Sequence, residues 1–535
     1  MTTKFSFETR VRCCFAALIL VFIFAPLLFR SVPAAYWFHD NFFNTLQIAE
    51  NFRAKGFPTF DGITPTNDFS LFWGLVLSGL SAVVSSKTVL FLILVRLLLG
   101  LALALSLWLL NKLIDALCLE PTKEVRFLAF SALLAQFLYA AFTGSDAAWA
   151  IPCIFINALC LLSSLKKPSV LSGIVCGLSV SLCAFVRFDC AAFFLTALLV
   201  FYFQFNGKAP VTTKQALKLL PGLIIGLIPL MFYADLLQTK FGSPVPAETL
   251  SWGKAQGMAA WRILTVLFFE PLRYAIRIPQ ATALIPFPTI LLALVAYTSF
   301  PWLEQEQTPK DTVFYTLIWY PIIYLAAIAI MTFIALPEYA FYPFAVGTPF
   351  AFVFAANKIN TQIMEKEKNQ ARLTWLILGV LFVLVAFSLA IKPRSAGYVH
   401  IADAVAEFAD QHQGRYAMSF GAGFVSSIKD ITMTRLDGMA EDLDMLKRIE
   451  AQENLNKAFQ KYQIDYYVAI NPNINKGCYS VREPVQNRFG GTNKGMNDWL
   501  CMAPVFEKQI TPKLKVVIFK TNKGEKTASE QPKIF

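Results

Sequence analysis

The side chains able to do chemistry in this chain recur in one kind of place, the short polar breaks between long apolar runs. His39-Asp40 follows the first run. Asp146 closes the segment Thr143-Gly144-Ser145-Asp146, and Arg187-Phe188-Asp189 separates two later runs. A proline-stiffened segment from Phe241 carries Glu248, Trp252 and Lys254. Ionisable groups at the edge of a bilayer are costly to keep, so each is a functional candidate by default. A carboxylate such as Asp40 can take the proton of a hydroxyl as a general base. An arginine fork matches phosphate oxygens, and a lysine adds a point charge beside them. Together these groups suit a lipid-attached, phosphate-bearing substrate at a membrane surface. Plainer readings stay open at each position: Asp146 as a helix N-cap, Arg187–Asp189 as a self-contained ion pair, Trp252 and Lys254 as membrane-surface anchors.

The elements that must position these residues begin with residues 37–73. His39 and Asp40 open a segment in which Phe42, Leu46, Ala49 and Arg53 recur at helical spacing. That pattern predicts an amphipathic helix lying against the membrane surface. Gly56 and Pro58 end it, and a turn-rich stretch over 65–70 leads into the next apolar run. Asp61, between the two, carries no catalytic expectation.

Of the 535 residues 56% are hydrophobic and only 15% charged, and the mean hydropathy is +0.53. Most of the chain therefore belongs in a bilayer. The apolar runs stop near Ile391, which divides the chain into a transmembrane module, 1–391, with an outer loop over 31–87, and a soluble module, 392–535. The net charge of +12 does not read as nucleic-acid binding, because Lys and Arg are not gathered on one aromatic-rich face. They fall instead in short loops between apolar runs. The expected fold class is mainly α, a polytopic bundle of about eleven spans with a C-terminal soluble α/β domain. The spans are placed at 13–30, 88–110, 127–142, 147–163, 169–186, 190–205, 216–236, 281–299, 312–335, 340–357 and 373–391.

Charge sets the expected orientation. With 69–84 kept as an interfacial or re-entrant piece, Lys4, Arg10, Arg12, Lys112, Lys123, Arg126, Lys166, Lys167, Lys208, Lys214, Lys218, Lys358, Lys366, Lys368 and Arg372 all fall on the cytoplasmic side. The polar breaks named above, together with Pro337-Glu338, then face the outer compartment with the soluble module. The first apolar run is read as an uncleaved span.

Eight of the ten cysteines lie in or beside apolar segments, where a thiol behaves as a small hydrophobe. Cys478 and Cys501 stand alone in the outer soluble module, where a disulfide between them is expected. No CxxC or Cys/His cluster exists, and three histidines argue against a zinc site. Within the soluble module, helices are expected over 399–411 and 441–463, and strands over 416–420, 466–470 and 514–520. Gly421-Ala422-Gly423 is too little for a nucleotide site.

Taken in order, the polar clusters resemble the GT-C superfamily of polytopic glycosyltransferases, most closely its bacterial arabinofuranosyltransferase- and mannosyltransferase-like members. The likeness runs through Asp40 to Gly56 and Asn67 to Trp73, then Gly144-Ser145-Asp146, Arg187-Phe188-Asp189, and the loop from Gly242 through Pro244, Pro246, Glu248 and Thr249 to Lys254. It spans most of 1–350, with a looser likeness at Asp437-Gly438. The chain departs from the pattern in three places: His39 replaces one member of the acidic pair, Phe188 stands where a proline is usual, and Phe341-Tyr342-Pro343 lacks the usual arginine.

The resemblance implies an inverting transferase on the outer face of a bacterial inner membrane. It would move a sugar from a polyprenyl phosphate to a cell-envelope glycan, lipid or protein. Such a donor leaves readily, so a base and positive charge are needed but no general acid. Asp40 is then the base, Arg187 and Lys254 hold the donor phosphate, and His39, Asp146, Asp189, Glu248 and Trp252 bind substrate. No metal ligand is assigned; no cofactor is certain, and a divalent cation is left open. The competing readings are a lipid or glycan transporter or flippase, against which the absence of an internal repeat weighs, and a non-catalytic scaffold for envelope assembly.

Overall fold

The computed structural model describes residues 7–28, 37–67, 70–141, 144–205, 213–244, 286–299, 308–331, 342–362, 365–391, 396–419, 421–437, 443–475, 477–484 and 495–521. The chain folds as two compact units, 1–42 with 70–394 and 43–69 with 395–535.

Each of the eleven apolar segments carries a helix. They are α1 (Phe7–Leu28), α4 (Val89–Ala116), α5 (Lys123–Ala141), α6 (Ala147–Lys166), α7 (Val170–Val186), α8 (Ala191–Phe205), α9 (Thr213–Phe241), α10 (Pro286–Ser299), α11 (Pro309–Met331), α12 (Tyr342–Gln362) and α13 (Glu365–Ala390). Among the described residues, α4, α5, α6, α9 and α13 are long and apolar enough to cross a membrane. The protein is an integral membrane protein. Two further helices, α2 (Asp40–Lys55) and α3 (Leu71–Val83), complete this part of the chain. At 13 residues α3 is shorter than the ~20 a span needs.

Lipid is as apolar as leucine, so helices in a bilayer associate through close backbone packing rather than a hydrophobic drive. The α7–α9 pair shows this. Gly173 and Gly177 face Gly222 and Gly226, and a Cβ on Gly222 would lie 1.9 Å from the Val170 carbonyl oxygen. Ser181 Oγ donates to the Gly226 carbonyl at 2.9 Å. Helix α7 is thereby clamped along its length, and its last turn delivers Arg187. Similarly, Gly347 of α12 lets that helix close on α11, where an added Cβ would meet Pro321 at 2.6 Å. That approach brings the tyrosines of the two helices together.

The second unit is α/β. Its five-stranded sheet has the order β2-β1-β3-β8-β7, from β1 (Tyr416–Met418), β2 (Met433–Arg435), β3 (Tyr466–Ile470), β7 (Phe506–Thr511) and β8 (Leu514–Lys520). Strand β1 is parallel to β2 and β3, while β8 runs antiparallel to β3 and β7. A smaller antiparallel sheet joins β4 (Asn473–Asn475), β5 (Cys478–Glu483) and β6 (Met496–Leu500). Helices α14 (Ala396–Ala409), α15 (Ala422–Lys429), α16 (Leu443–Glu450) and α17 (Leu455–Lys461) complete it, and Leu436, Met445, Leu455, Phe459, Tyr467, Val517 and Phe519 build a core.

Strands expected at 466–470 and 514–520 are β3 and β8. The single helix expected over 441–463 is instead two, α16 and α17. Gln452 turns left-handed between them (φ 52°), and the Asn454 side chain caps α17 by accepting from Asn456 N. The expected disulfide is present: Cys478 and Cys501 bridge the β5–β6 pair with 4.2 Å between Cα atoms, one step beyond the paired Tyr479 and Leu500.

Helix α2 is not the surface-lying helix its periodicity predicts. Within the second unit its apolar side is covered by protein. The Phe43 ring meets Phe424 at 4.6 Å, Ser427 Oγ donates to the Phe43 carbonyl at 2.9 Å, and Gly423 packs directly on Asn44. An amphipathic stripe reports a face to be buried and does not say what buries it. The following turn is organised by Asp61. Its carboxylate accepts from the amides of Ile63 and Thr64, the hydroxyls of Thr59 and Thr64, and the guanidinium of Arg415 at 2.6 Å.

Candidate active site

The site is built at three helix ends of the membrane unit. At the first, Gly144 turns the chain into α6 with φ +74°, in the left-handed region that only glycine enters cheaply. A Cβ there would lie 2.7 Å from the Phe38 ring and 2.8 Å from Phe42, so the segment carrying His39 and Asp40 rests directly on this turn. Phe38 and Phe42 stack on one another at 4.3 Å, and Trp73 Nε1 donates to the Gly144 carbonyl at 2.9 Å. Helix α2 begins at Asp40 itself, which is 4% exposed.

Asp146 occupies the N-cap position of α6, yet its side chain makes no capping bond. It turns instead to Arg187, accepting from Nη1 at 2.7 Å. Arg187 ends α7 in extended conformation, and its Nε and Nη2 donate to the two oxygens of Asp189 at 3.0 Å each. Asp189 sits in the single 3₁₀ turn Phe188–Cys190 between α7 and α8. Its Oδ2 also accepts from the Tyr324 hydroxyl at 2.7 Å and its Oδ1 from Tyr342 at 3.3 Å. Tyr342 shares a hydrogen bond with Tyr320 at 3.0 Å, and the Arg187 guanidinium lies 5.6 Å from the centre of the Tyr342 ring. The start of α3 joins the same corner, where Ser70 Oγ donates to the Val186 carbonyl at 3.1 Å.

The three charged groups are not equivalent. Asp189 accepts four hydrogen bonds, one for each of the four sites a carboxylate offers, and is fully committed. Asp146 accepts through Oδ1 alone; among the described residues its Oδ2 has no protein hydrogen bond, and its side chain is 13% exposed. Arg187 is held bidentately and aimed, its charge shared between two carboxylates.

The structure thus brings Asp146, Arg187 and Asp189 into one network and sets Phe38 and Phe42, which flank His39 and Asp40 in the chain, against the Gly144 turn. Glu248, Trp252 and Lys254, like Pro337-Glu338, lie outside the described residues. The tyrosine shell escaped the sequence reading because a tyrosine inside an apolar run looks like core. Arg96 escaped it too. It is the lone basic residue in the apolar body of α4, 2% exposed, and its Nη1 donates to the Phe22 carbonyl at 2.5 Å. It faces the rings of Phe22, Trp37 and Phe38 at 4.8, 5.0 and 5.7 Å, and so braces the residues just before His39. A lone ionisable residue inside an apolar helix was the signal that could have found it.

A divalent cation does not fit the Arg187 cluster. Calcium or magnesium wants about six oxygen ligands, the cluster offers one uncommitted carboxylate oxygen, and the guanidinium fills the space between the carboxylates. No group of three or more His, Cys, Asp or Glu able to hold a metal occurs among the described residues.

No protein-family model and no curated protein matches the chain by sequence. Its fold is similar to that of ArnT from Cupriavidus metallidurans. The structure of ArnT bound to undecaprenyl phosphate matches with a TM-score of 0.54 at 9% identity, over 87% of this chain and 93% of that one. The apo structure matches with a TM-score of 0.54 at 10% identity and the same coverage. The likeness is one of fold, and it extends over nearly all of the ArnT chain.

Proposed function

We propose that this protein is a membrane glycosyltransferase that moves a sugar from a polyprenyl-phosphate donor to a hydroxyl on a cell-envelope glycan, lipid or protein. The observation that carries the reading is the asymmetry of the Arg187 network. One carboxylate is locked and serves the arginine, and the other keeps an oxygen for substrate. The likeness to the ArnT structure holding undecaprenyl phosphate supports the donor class.

In this mechanism the acceptor hydroxyl gives its proton to a carboxylate and its oxygen attacks the anomeric carbon. The bond to the donor phosphate breaks with its electrons going to phosphate, so the sugar configuration inverts. Charge grows on the phosphate as it leaves, and a preorganised cation there lowers the barrier. Arg187 supplies that charge, with Asp189, Tyr324 and Tyr342 holding it in place, and Lys254 adds a second cation. Asp146 is the base we favour, because its Oδ2 is uncommitted and its side chain reaches solvent. Asp40 is the alternative base, more deeply buried in the first turn of α2. His39, Glu248 and Trp252 are left to line the sugar and acceptor. We place the site on the outer face of a bacterial inner membrane, with a cytoplasmic N-terminus. The Cys478–Cys501 disulfide supports that placement, since disulfides persist in oxidising compartments.

The test is to incubate the purified protein with radiolabelled polyprenyl-phosphate sugars and membrane lipids and to follow label transfer, with and without chelator. We expect transfer that survives chelation and that one of Asp146→Asn and Asp40→Asn lowers by ~10²–10⁴. Absence of transfer from every donor, by a folded protein that still binds polyprenyl phosphate, would leave the transporter or scaffold reading in its place.

A further inference from the structure

The hydroxyls around Asp189 form a chain with a fixed direction, and the chain begins at Tyr320. Asp189, clasped bidentately by Arg187, is a carboxylate and only accepts. The Tyr342 hydroxyl lies 3.3 Å from its Oδ1 and 3.0 Å from the Tyr320 hydroxyl. A phenol has one proton to give. A charged acceptor takes it in preference to a neutral one, since charge-assisted hydrogen bonds are about twice as strong. Tyr342 therefore donates to Asp189, and Tyr320 must donate to Tyr342. The Cys190 thiol, 3.4 Å from the Tyr342 hydroxyl, is left to donate to it as well. From Tyr320 through Tyr342 and Asp189 to Arg187, the contacts run from the middle of α11, by way of the start of α12, to the corner between α7 and α8.

Tyr320 is held in one place. It is 0% exposed, and its ring meets Phe193 of α8 edge-on at 5.4 Å. The next residue, Pro321, is where α11 closes on Gly347 of α12. Burying a hydroxyl costs free energy that only a hydrogen bond returns. Among the described residues the Tyr320 hydroxyl has one hydrogen-bond partner, Tyr342.

We propose that Tyr320 is a positioning residue for the transfer reaction, acting on Arg187 through Tyr342 and Asp189. The inference rests on the reading of Arg187 as the cation that meets the leaving phosphate. With Tyr320 in place, the Tyr342 oxygen accepts from behind while its proton stays on Asp189, and the guanidinium fork is kept aimed. Without it the Tyr342 oxygen loses an accepted bond, the bond it donates weakens in turn, and Asp189 holds the fork less firmly.

The test is a cycle of Tyr320→Phe, Tyr342→Phe and the two together in the full-length protein, each exchange keeping the ring. Label transfer and melting in detergent are both measured. Tyr320→Phe alone should lower kcat about three- to tenfold, the worth of one hydrogen bond. It should leave KM for the donor unchanged, because the fork is needed most when charge grows on the phosphate. Added to Tyr342→Phe, it should lower kcat no further. In melting, Tyr320→Phe should destabilise the wild-type protein but not the Tyr342→Phe variant, in which the Tyr320 hydroxyl has already lost its acceptor. A wild-type kcat for Tyr320→Phe, a rise in KM in its place, or equal losses in both backgrounds would each overturn the proposal. If the wild-type protein transfers nothing, the proposed reaction falls, and the melting cycle alone decides whether Tyr320 acts through Tyr342: coupled losses uphold the chain and additive ones overturn it.

Discussion

Exchanging each carboxylate of the Arg187 network for its amide separates a base from an anchor. In Asp189→Asn one oxygen still accepts from Arg187 and from one tyrosine. The other becomes an amide nitrogen whose hydrogens point at a donor of Arg187 and at a tyrosine hydroxyl. Two of four contacts are lost, and a guanidinium only 7% exposed loses a counter-charge. Removing one partner of a buried ion pair costs about 3–5 kcal/mol. Asp146→Asn is milder, because its Oδ1 can still accept the single bond from Arg187 at 2.7 Å; about 1 kcal/mol is expected for a charged acceptor becoming neutral. The order should reverse for turnover, where losing a base lowers the rate by ~10²–10⁴. The assay pairs melting in detergent with label transfer at equal protein. Asp146→Asn should melt near wild type and transfer little, whereas Asp189→Asn should melt several degrees lower. Near-normal transfer by Asp146→Asn would refute its role as base and move the search to Asp40. A wild-type melting temperature for Asp189→Asn would refute the anchor.

Three further outcomes are expected. Gly144→Ala puts a Cβ on a left-handed residue and into Phe38 and Phe42, costing about 1–3 kcal/mol, so both melting temperature and transfer should fall; unchanged values would mean the turn does not position His39 and Asp40. Asp61→Asn, with a side chain 0% exposed against Arg415, should destabilise the second unit by about 3–5 kcal/mol, whereas Asp115→Asn, in an exposed pair with Arg126, should cost under about 1; equal proteolytic susceptibility of the two variants would contradict this. Burial pushes the Glu483 carboxyl up to about 7, only partly offset by hydrogen bonds from Ser419 and Tyr467. A raised carboxyl stabilises the fold below its ordinary value near 4.5 and loses that contribution as pH rises through about 7, a change of about 3 kcal/mol. Melting of the second unit should therefore fall from pH 5 to 7.5, and Glu483→Gln should flatten that fall; parallel profiles would exclude Glu483 as its source.

The sequence alone determined where the apolar helices lie, since each of the eleven long apolar runs became a helix, five of them long and apolar enough among the described residues to cross a membrane. It also singled out Asp146, Arg187 and Asp189, because charge is too costly at such positions to be incidental. The Cys478–Cys501 pair was legible for a similar reason, being the two cysteines outside the apolar segments. Strands such as Met433–Arg435 and Asn473–Asn475 were not legible, at three residues each too short for any periodicity to show. Only the tertiary structure decided which carboxylate is committed. Asp189 is saturated by Tyr324 and Tyr342 from helices more than 130 residues away, while Asp146 forgoes its local capping bond to meet Arg187 across 41 residues. It likewise decided what covers α2, which shows the same stripe whether lipid or protein lies against it. Residue type and local spacing carry the expense of a charge or a buried face; the partner that meets it is chosen by packing between segments distant in the chain.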